Sequence, residues 1–173
     1  MDTALQRGTE ARSALRTVAA FCLAALLGIT VAACAATPVS PRGFEGWPRT
    51  TIEIQTHIGV LQLDATVADT AARQQQGLMF VRELDAHESM WFPVTPPRRM
   101  QMWMRNTLIP LDMLFVDTEG HIACIAARTT PQSLDLIGCP TVVSGVLEIG
   151  GGEAKRQGIA IGDQLTVNAR AQP

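Results

Sequence analysis

An excess of positive charge is the first thing this 173-residue sequence lacks, since 14 basic side chains stand against 16 acidic ones. A nucleic-acid partner draws much of its affinity from clustered Lys and Arg neutralising phosphates, so none is expected. Charge of either sign is sparse, at 17% against 47% apolar residues. That balance excludes the disordered class and leaves enough apolar material for the core of one domain. Internal repeats and low-complexity tracts are missing beyond residue 50, and repeat architectures go with them. Common catalytic signatures are missing too: there is no Gly-x-Ser-x-Gly elbow, no phosphate-binding glycine loop, no His-Glu-x-x-His and no Cys-x-x-Cys. His57, His87 and His121 are widely separated and offer no pair at ligand spacing, so neither a metal nor another cofactor is expected.

What is there begins with an address. Arg7, Arg12 and Arg16 precede an uncharged Ala/Leu-rich run from Thr17 to Ala33, the order of a secretory leader. The run ends in Val31-Ala32-Ala33-Cys34, which resembles a bacterial lipobox with Cys34 as the acylated first residue of the mature chain. Residues 1–33 are therefore expected to be a lipoprotein signal peptide and the partner a membrane, reached through an N-terminal lipid anchor. Two other fates stay open: ordinary cleavage near Ala35, giving a soluble periplasmic protein, and retention of the segment as a short uncleaved span. Residues 34–49, with Pro38, Pro41, Gly43, Gly46 and Pro48 and no apolar period, read as a flexible tether. Without the leader's three arginines, Asp2 and Glu10, the remainder holds 11 basic and 14 acidic side chains. Cys124 and Cys139 are the thiols left once Cys22 and Cys34 are assigned to leader and lipid. An oxidising compartment makes them a candidate disulfide, and two separately buried thiols are the alternative.

From residue 50 to 170 the pattern is mainly β. Thr51 to Gln55 and Val60 to Asp64 each alternate at period two around Gly59, which reads as a hairpin. Asp69 or Thr70 can cap a short helix over Ala71 to Gln76 that Gly77 ends. Strands are expected at Ser89 to Pro93, Met100 to Arg105, Asp112 to Val116 and His121 to Ala126, with a turn at Asp117-Thr118-Glu119-Gly120. A loop from Thr129 to Pro140 leads to a strand at Val142 to Ile149, a one-turn helix at Glu153 to Gln157 and a final strand at Gln164 to Ala169. Short strands with two brief helices indicate a single small sheet, curled or closed into a barrel.

The densest segment runs from Met100 to Asp117. Trp103-Met104-Arg105-Asn106-Thr107, a Pro110-containing apolar step, then Leu111-Asp112 and an apolar strand resemble the central motif of DUF192, a bacterial and archaeal family of unknown function. Gly77-Leu78-Met79-Phe80 with Arg82-Glu83-Leu84 is similar to its upstream motif. Val146-Leu147-Glu148 and Gly158-Ile159-x-Ile161-Gly162-Asp163 are similar to its closing segment. The resemblance covers about residues 51–169 and implies a mainly β fold in a family that is commonly exported, with no activity, substrate or cofactor attached. The chain departs from the pattern at Ser89, where members usually carry Gly, and in the Thr129 to Cys139 loop.

On an extended strand Trp103 and Arg105 share one face, bringing an aromatic ring beside a guanidinium. Asn106 and Thr107 follow, and Asp112 is expected to return to face Arg105 or Asn106. Trp103, Arg105, Asn106 and Asp112 are thus candidate ligands for a sugar or a carboxylate metabolite. The structural alternative puts Trp103 in the core and uses Asn106 and Asp112 to satisfy backbone groups. The corresponding functions are a non-enzymatic small-ligand-binding or envelope-accessory module and, as its rival, a small hydrolase or lyase with Asp112 as general base. A further alternative is Cu(I) held by Met100, Met102 and Met104, with Met104 expected to be core instead.

Overall fold

The computed structural model describes residues 43–168. The leader, Cys34 and most of the expected tether lie outside the described residues. The packed domain starts earlier than residue 50, which corrects the tether's far boundary. Phe44 is buried and meets Trp47 edge-on at 4.9 Å, while the Arg73 guanidinium lies 5.3 Å over the Trp47 ring.

Strands β1 (Arg49–Thr56) and β2 (Gly59–Val67) form the hairpin, paired as Ile52 with Leu63 and Ile54 with Leu61. The period-two pattern of β1 sends Thr50, Ile52 and Ile54 inward. Helix α1 (Ala71–Gln76) follows. The Thr70 hydroxyl caps it by accepting from Arg73 N, and Gly77 at φ +47° ends it. This helix lies on the crossover that a parallel neighbour requires, for β3 (Glu88–Arg98) runs parallel to β2. At the junction Ser89 is buried, and its hydroxyl donates to the Asp64 carbonyl at 3.1 Å, so the departure from the family's usual Gly is accommodated.

The Met100 to Arg105 strand shrinks to β4 (Gln101–Met102), paired with β7 (Ile137–Gly138) inside the expected Thr129 to Pro140 loop. After Met102 the chain turns: Met104 N donates to Ser133 O and Thr107 N to Met104 O, with Asn106 at φ +56°. Strands β5 (Leu111–Val116), β6 (Ile122–Ala126), β8 (Val143–Gly150), helix α2 (Glu153–Arg156) and β9 (Gln164–Asn168) complete the described residues.

Seven strands make one sheet in the order β6-β5-β8-β3-β2-β1-β9. It curls so far that its two edge strands meet at one end. Gln164 bridges His121, Ile122 N donates to Asp163 O and Leu165 N to Gly120 O. The fold is thus mainly β, one curled barrel-like sheet with two short helices. Every residue of β5 is buried, because the strand lies between β6 and β8 with an apolar cluster on each face. Ile52, Ile54, Leu63, Leu114, Leu147 and Leu165 fill one face. Phe92, Met104, Met113, Phe115 and Val146 fill the other, where Leu78 and Met102 cover them. Cys139, beside β7, is bridged to Cys124 of β6 with the Cα atoms 5.9 Å apart.

Candidate functional site

Two turns build the site on the second of these faces. The first, after α1, carries Gly77, Leu78, Met79 and Phe80. The second carries Trp103 to Thr107. Phe80 N donates to Asn106 O at 2.9 Å and Asn106 Nδ2 contacts Met79 Sδ at 3.7 Å, so the turns are tied side by side. Gly77 is required here for two reasons. Its φ is in the left-handed region, and a Cβ would come within 3.3 Å of the Phe92 ring. Between the turns and the sheet lies a cleft of about 330 Å³, lined by Gln74, Gln75, Gln76, Leu78, Phe92, Met100, Met102, Trp103, Arg105 and Glu148, among others. A second, more open hollow of about 510 Å³ shares Gln75, Gln76, Met79, Trp103 and Arg105 with this cleft and adds Ala72, Phe80 and Asn106, so Trp103 and Arg105 form part of the ridge bordering both.

Trp103 is 42% exposed rather than in the core, and the Arg105 guanidinium stacks 5.9 Å from its ring centroid. The pairing therefore exists, but a turn creates it and not a shared strand face. Asn106 joins the ridge through its contact with Met79.

Asp112 does not face Arg105 or Asn106, and this corrects the expectation. Residues alternate across β5, so Leu111, Met113 and Phe115 point to the cleft side while Asp112 points to the other, with Leu114. There Asp112 Oδ1 accepts from Arg128 N at 2.7 Å and Gly152 N at 2.9 Å, and Oδ2 accepts from Ala154 N at 2.9 Å. The carboxylate braces the Arg128 turn and the start of α2, fully buried, and lines neither cavity. A general base needs reach to a substrate proton, which this position denies. The methionine triad fails where the sequence placed its weak point, at Met104. Met104 is fully buried with Thr129 Oγ1 at 3.1 Å from its sulfur, while Met100 and Met102 line the cleft together with Met79. No group of three or more His, Cys, Asp or Glu able to hold a metal occurs among the described residues.

Glu148 is the residue that the candidate ligand set missed. It sits in the middle of β8, opposite Met90 of β3 and Met113 of β5. Only 4% exposed, it opens on the cleft, and no protein group among the described residues bonds its carboxyl. Burial with no compensating donor pushes its carboxyl pKa up to about 8. One acidic residue inside the apolar run Val146-Leu147-Glu148-Ile149 is the signal that could have found it.

The DUF192 profile, described as an uncharacterised group, matches residues 52–167. The chain belongs to the DUF192 family. Two solved structures resemble this DUF192 domain. A protein of unknown function from Novosphingobium aromaticivorans is 34% identical with a TM-score of 0.71, over 76% of this chain and 94% of that one. A Sinorhizobium meliloti protein provisionally described as a transcription regulator is 32% identical with a TM-score of 0.68, over 76% of this chain and 98% of that one. No curated protein matches the chain. The family is one of unknown function, so the site has to be read from its own chemistry.

Proposed function

We propose that this DUF192 domain is a non-enzymatic small-ligand-binding module of the cell envelope, with its site in the cleft between the Trp103–Arg105 ridge and β8. The observation that carries the reading is a buried, unpartnered Glu148 on the lining of an open cleft whose rim presents an aromatic ring stacked with a guanidinium. The Glu148 carboxyl is not among the fully buried side-chain atoms left without a partner, so it opens on the cleft, where a polar group of a ligand can reach it. Mostly apolar walls with a few convergent polar groups are the usual make-up of a small-molecule site.

The rival hydrolase or lyase loses its named base, because both oxygens of Asp112 are engaged on the opposite face of the sheet. Nor is the regulator description of the Sinorhizobium meliloti relative adopted for this chain, whose 14 basic and 16 acidic side chains give no basic excess for DNA.

A thermal-shift screen of sugars, carboxylates and metal ions tests the binding reading. A ligand at one hundred times its Kd should add about 2.7 kcal/mol of stability. Loss of that shift in Trp103→Ala and Arg105→Gln would support this cleft, and a screen in which no compound moves the melting transition would overturn it. The envelope assignment rests on Cys34 and the leader. Metabolic labelling with palmitate should mark the native chain and fail in Cys34→Ser, and label that survives the substitution would remove the anchor.

A further inference from the structure

The cleft's chemistry narrows what it can hold, and this step rests on the binding reading above. We propose that the ligand is a small carboxylate with an apolar body and a carbonyl oxygen: its carboxylate pairs with Arg105 at the rim, and its carbonyl accepts a hydrogen bond from Glu148 within the cleft.

Charge supplies the first half of the argument. Arg105 and Glu148 are the ionisable side chains among the cleft's lining residues. The elements around Glu148 bring no other charge to it. Met90 and Phe92 come from β3, Met113 from β5 and Gln74 to Gln76 from α1. Glu153 of α2 is held instead by Arg156 and Gln157. Burial raises the Glu148 pKa to about 8, so at neutral pH the carboxyl keeps its proton and the net charge at the cleft is that of the guanidinium. An anionic group is drawn to that rim, and a planar carboxylate fits the fork of a guanidinium.

Hydrogen-bond accounting supplies the second half. A protonated carboxyl has an O–H to donate, and no acceptor is bonded to Glu148 among the described residues. A carbonyl oxygen can accept that bond without adding charge in a desolvated place. A ligand ammonium would have to ionise Glu148 first and would meet the Arg105 charge on its way in. Leu78, Phe92 and Met102 on the walls of the same cleft favour an apolar stem over a ring of hydroxyls.

The test is an NMR titration of the protein, read at the Trp103 indole N–H, with four probes: levulinate, valerate, δ-aminovalerate and glucose. Levulinate carries both groups, valerate lacks the carbonyl, δ-aminovalerate replaces it with a cation, and glucose stands for the sugar class. At about pH 6 levulinate should bind about tenfold more tightly than valerate, the worth of one hydrogen bond. Its affinity should fall by about tenfold, toward that of valerate, as pH rises through and above about 8 and Glu148 loses the proton it donates. Glu148→Gln cannot ionise, so its ratio of affinities across the same pH range should be near unity. Glu148→Leu should remove the preference for levulinate over valerate.

Several results would overturn the proposal: δ-aminovalerate binding tightest, glucose binding in preference to the carboxylates, levulinate affinity indifferent to pH in the native protein, or none of the four perturbing Trp103. Each leaves the broader binding reading standing if the thermal-shift screen has produced a ligand. That reading fails separately, by a screen with no ligand of any class.

Discussion

Replacing Glu148 by Gln should stabilise the protein at neutral pH, by an amount that follows from the burial of the carboxyl. In the unfolded chain this group has its ordinary pKa of 4.5, and in the folded protein burial raises it to about 8. Below pH 4.5 it is protonated in both states and contributes nothing to the pH dependence. Between 4.5 and about 8 the folded state holds a proton that the unfolded state has released, so stability falls by about 1.4 kcal/mol per pH unit as pH rises. The loss levels off above the folded value. Over the whole interval it amounts to about 5 kcal/mol, and about 3 kcal/mol of it is already present at pH 7. Gln has nearly the same shape and no proton to lose. Urea unfolding of both proteins across this pH range, each curve extrapolated to water, gives the difference free of the groups they share. It should be near zero at the acid end and widen in favour of Glu148→Gln as pH rises. Parallel profiles, or a difference that narrows with pH, would refute a buried neutral Glu148.

Other changes test the frame that holds the cleft. Asp112→Ala should cost upwards of about 3 kcal/mol by urea unfolding, because two buried N–H donors and a part-buried third lose their acceptor together; a cost below about 1 kcal/mol would contradict the bracing role. Gly145→Ala should destabilise by at least about 1–3 kcal/mol, since the added methyl would overlap the Trp91 ring on the neighbouring strand; an unchanged midpoint would refute it. Replacing both Cys124 and Cys139 by Ala should lower stability by about 3 kcal/mol, in proportion to a bridge across 15 residues. Identical melting of the oxidised and reduced native protein would show that this closure contributes nothing.

The elements with short-range signals were legible in the sequence. Alternation around Gly59, the Thr70 cap with Gly77 at the far end, and the Glu153 turn correspond to the β1–β2 hairpin, α1 and α2. The Met100 to Arg105 run was misread for a physical reason: three alternating methionines imitate a strand, yet β4 pairs over only two residues before Asn106 turns the chain at positive φ. Trp103 and Arg105 nevertheless come together, since a turn can stack neighbours that a strand would also align. Asp112 depended on which face of β5 it occupies, a matter of parity against the rest of the sheet that its own segment does not encode. Glu148 was read as part of a family motif, although its place as the one acidic residue in an apolar run marks it. Its role emerges from a strand covered on both faces and a cleft that opens beside one buried position, and both are properties of the assembled sheet.

A crystal structure of the protein with the tightest ligand from the thermal-shift screen bears most directly on the central claim. Density for that ligand should lie between the Trp103–Arg105 ridge and β8, with one of its polar atoms within hydrogen-bond distance of the Glu148 carboxyl. A ligand bound elsewhere, with Glu148 still unpartnered beside an empty cleft, would contradict the account.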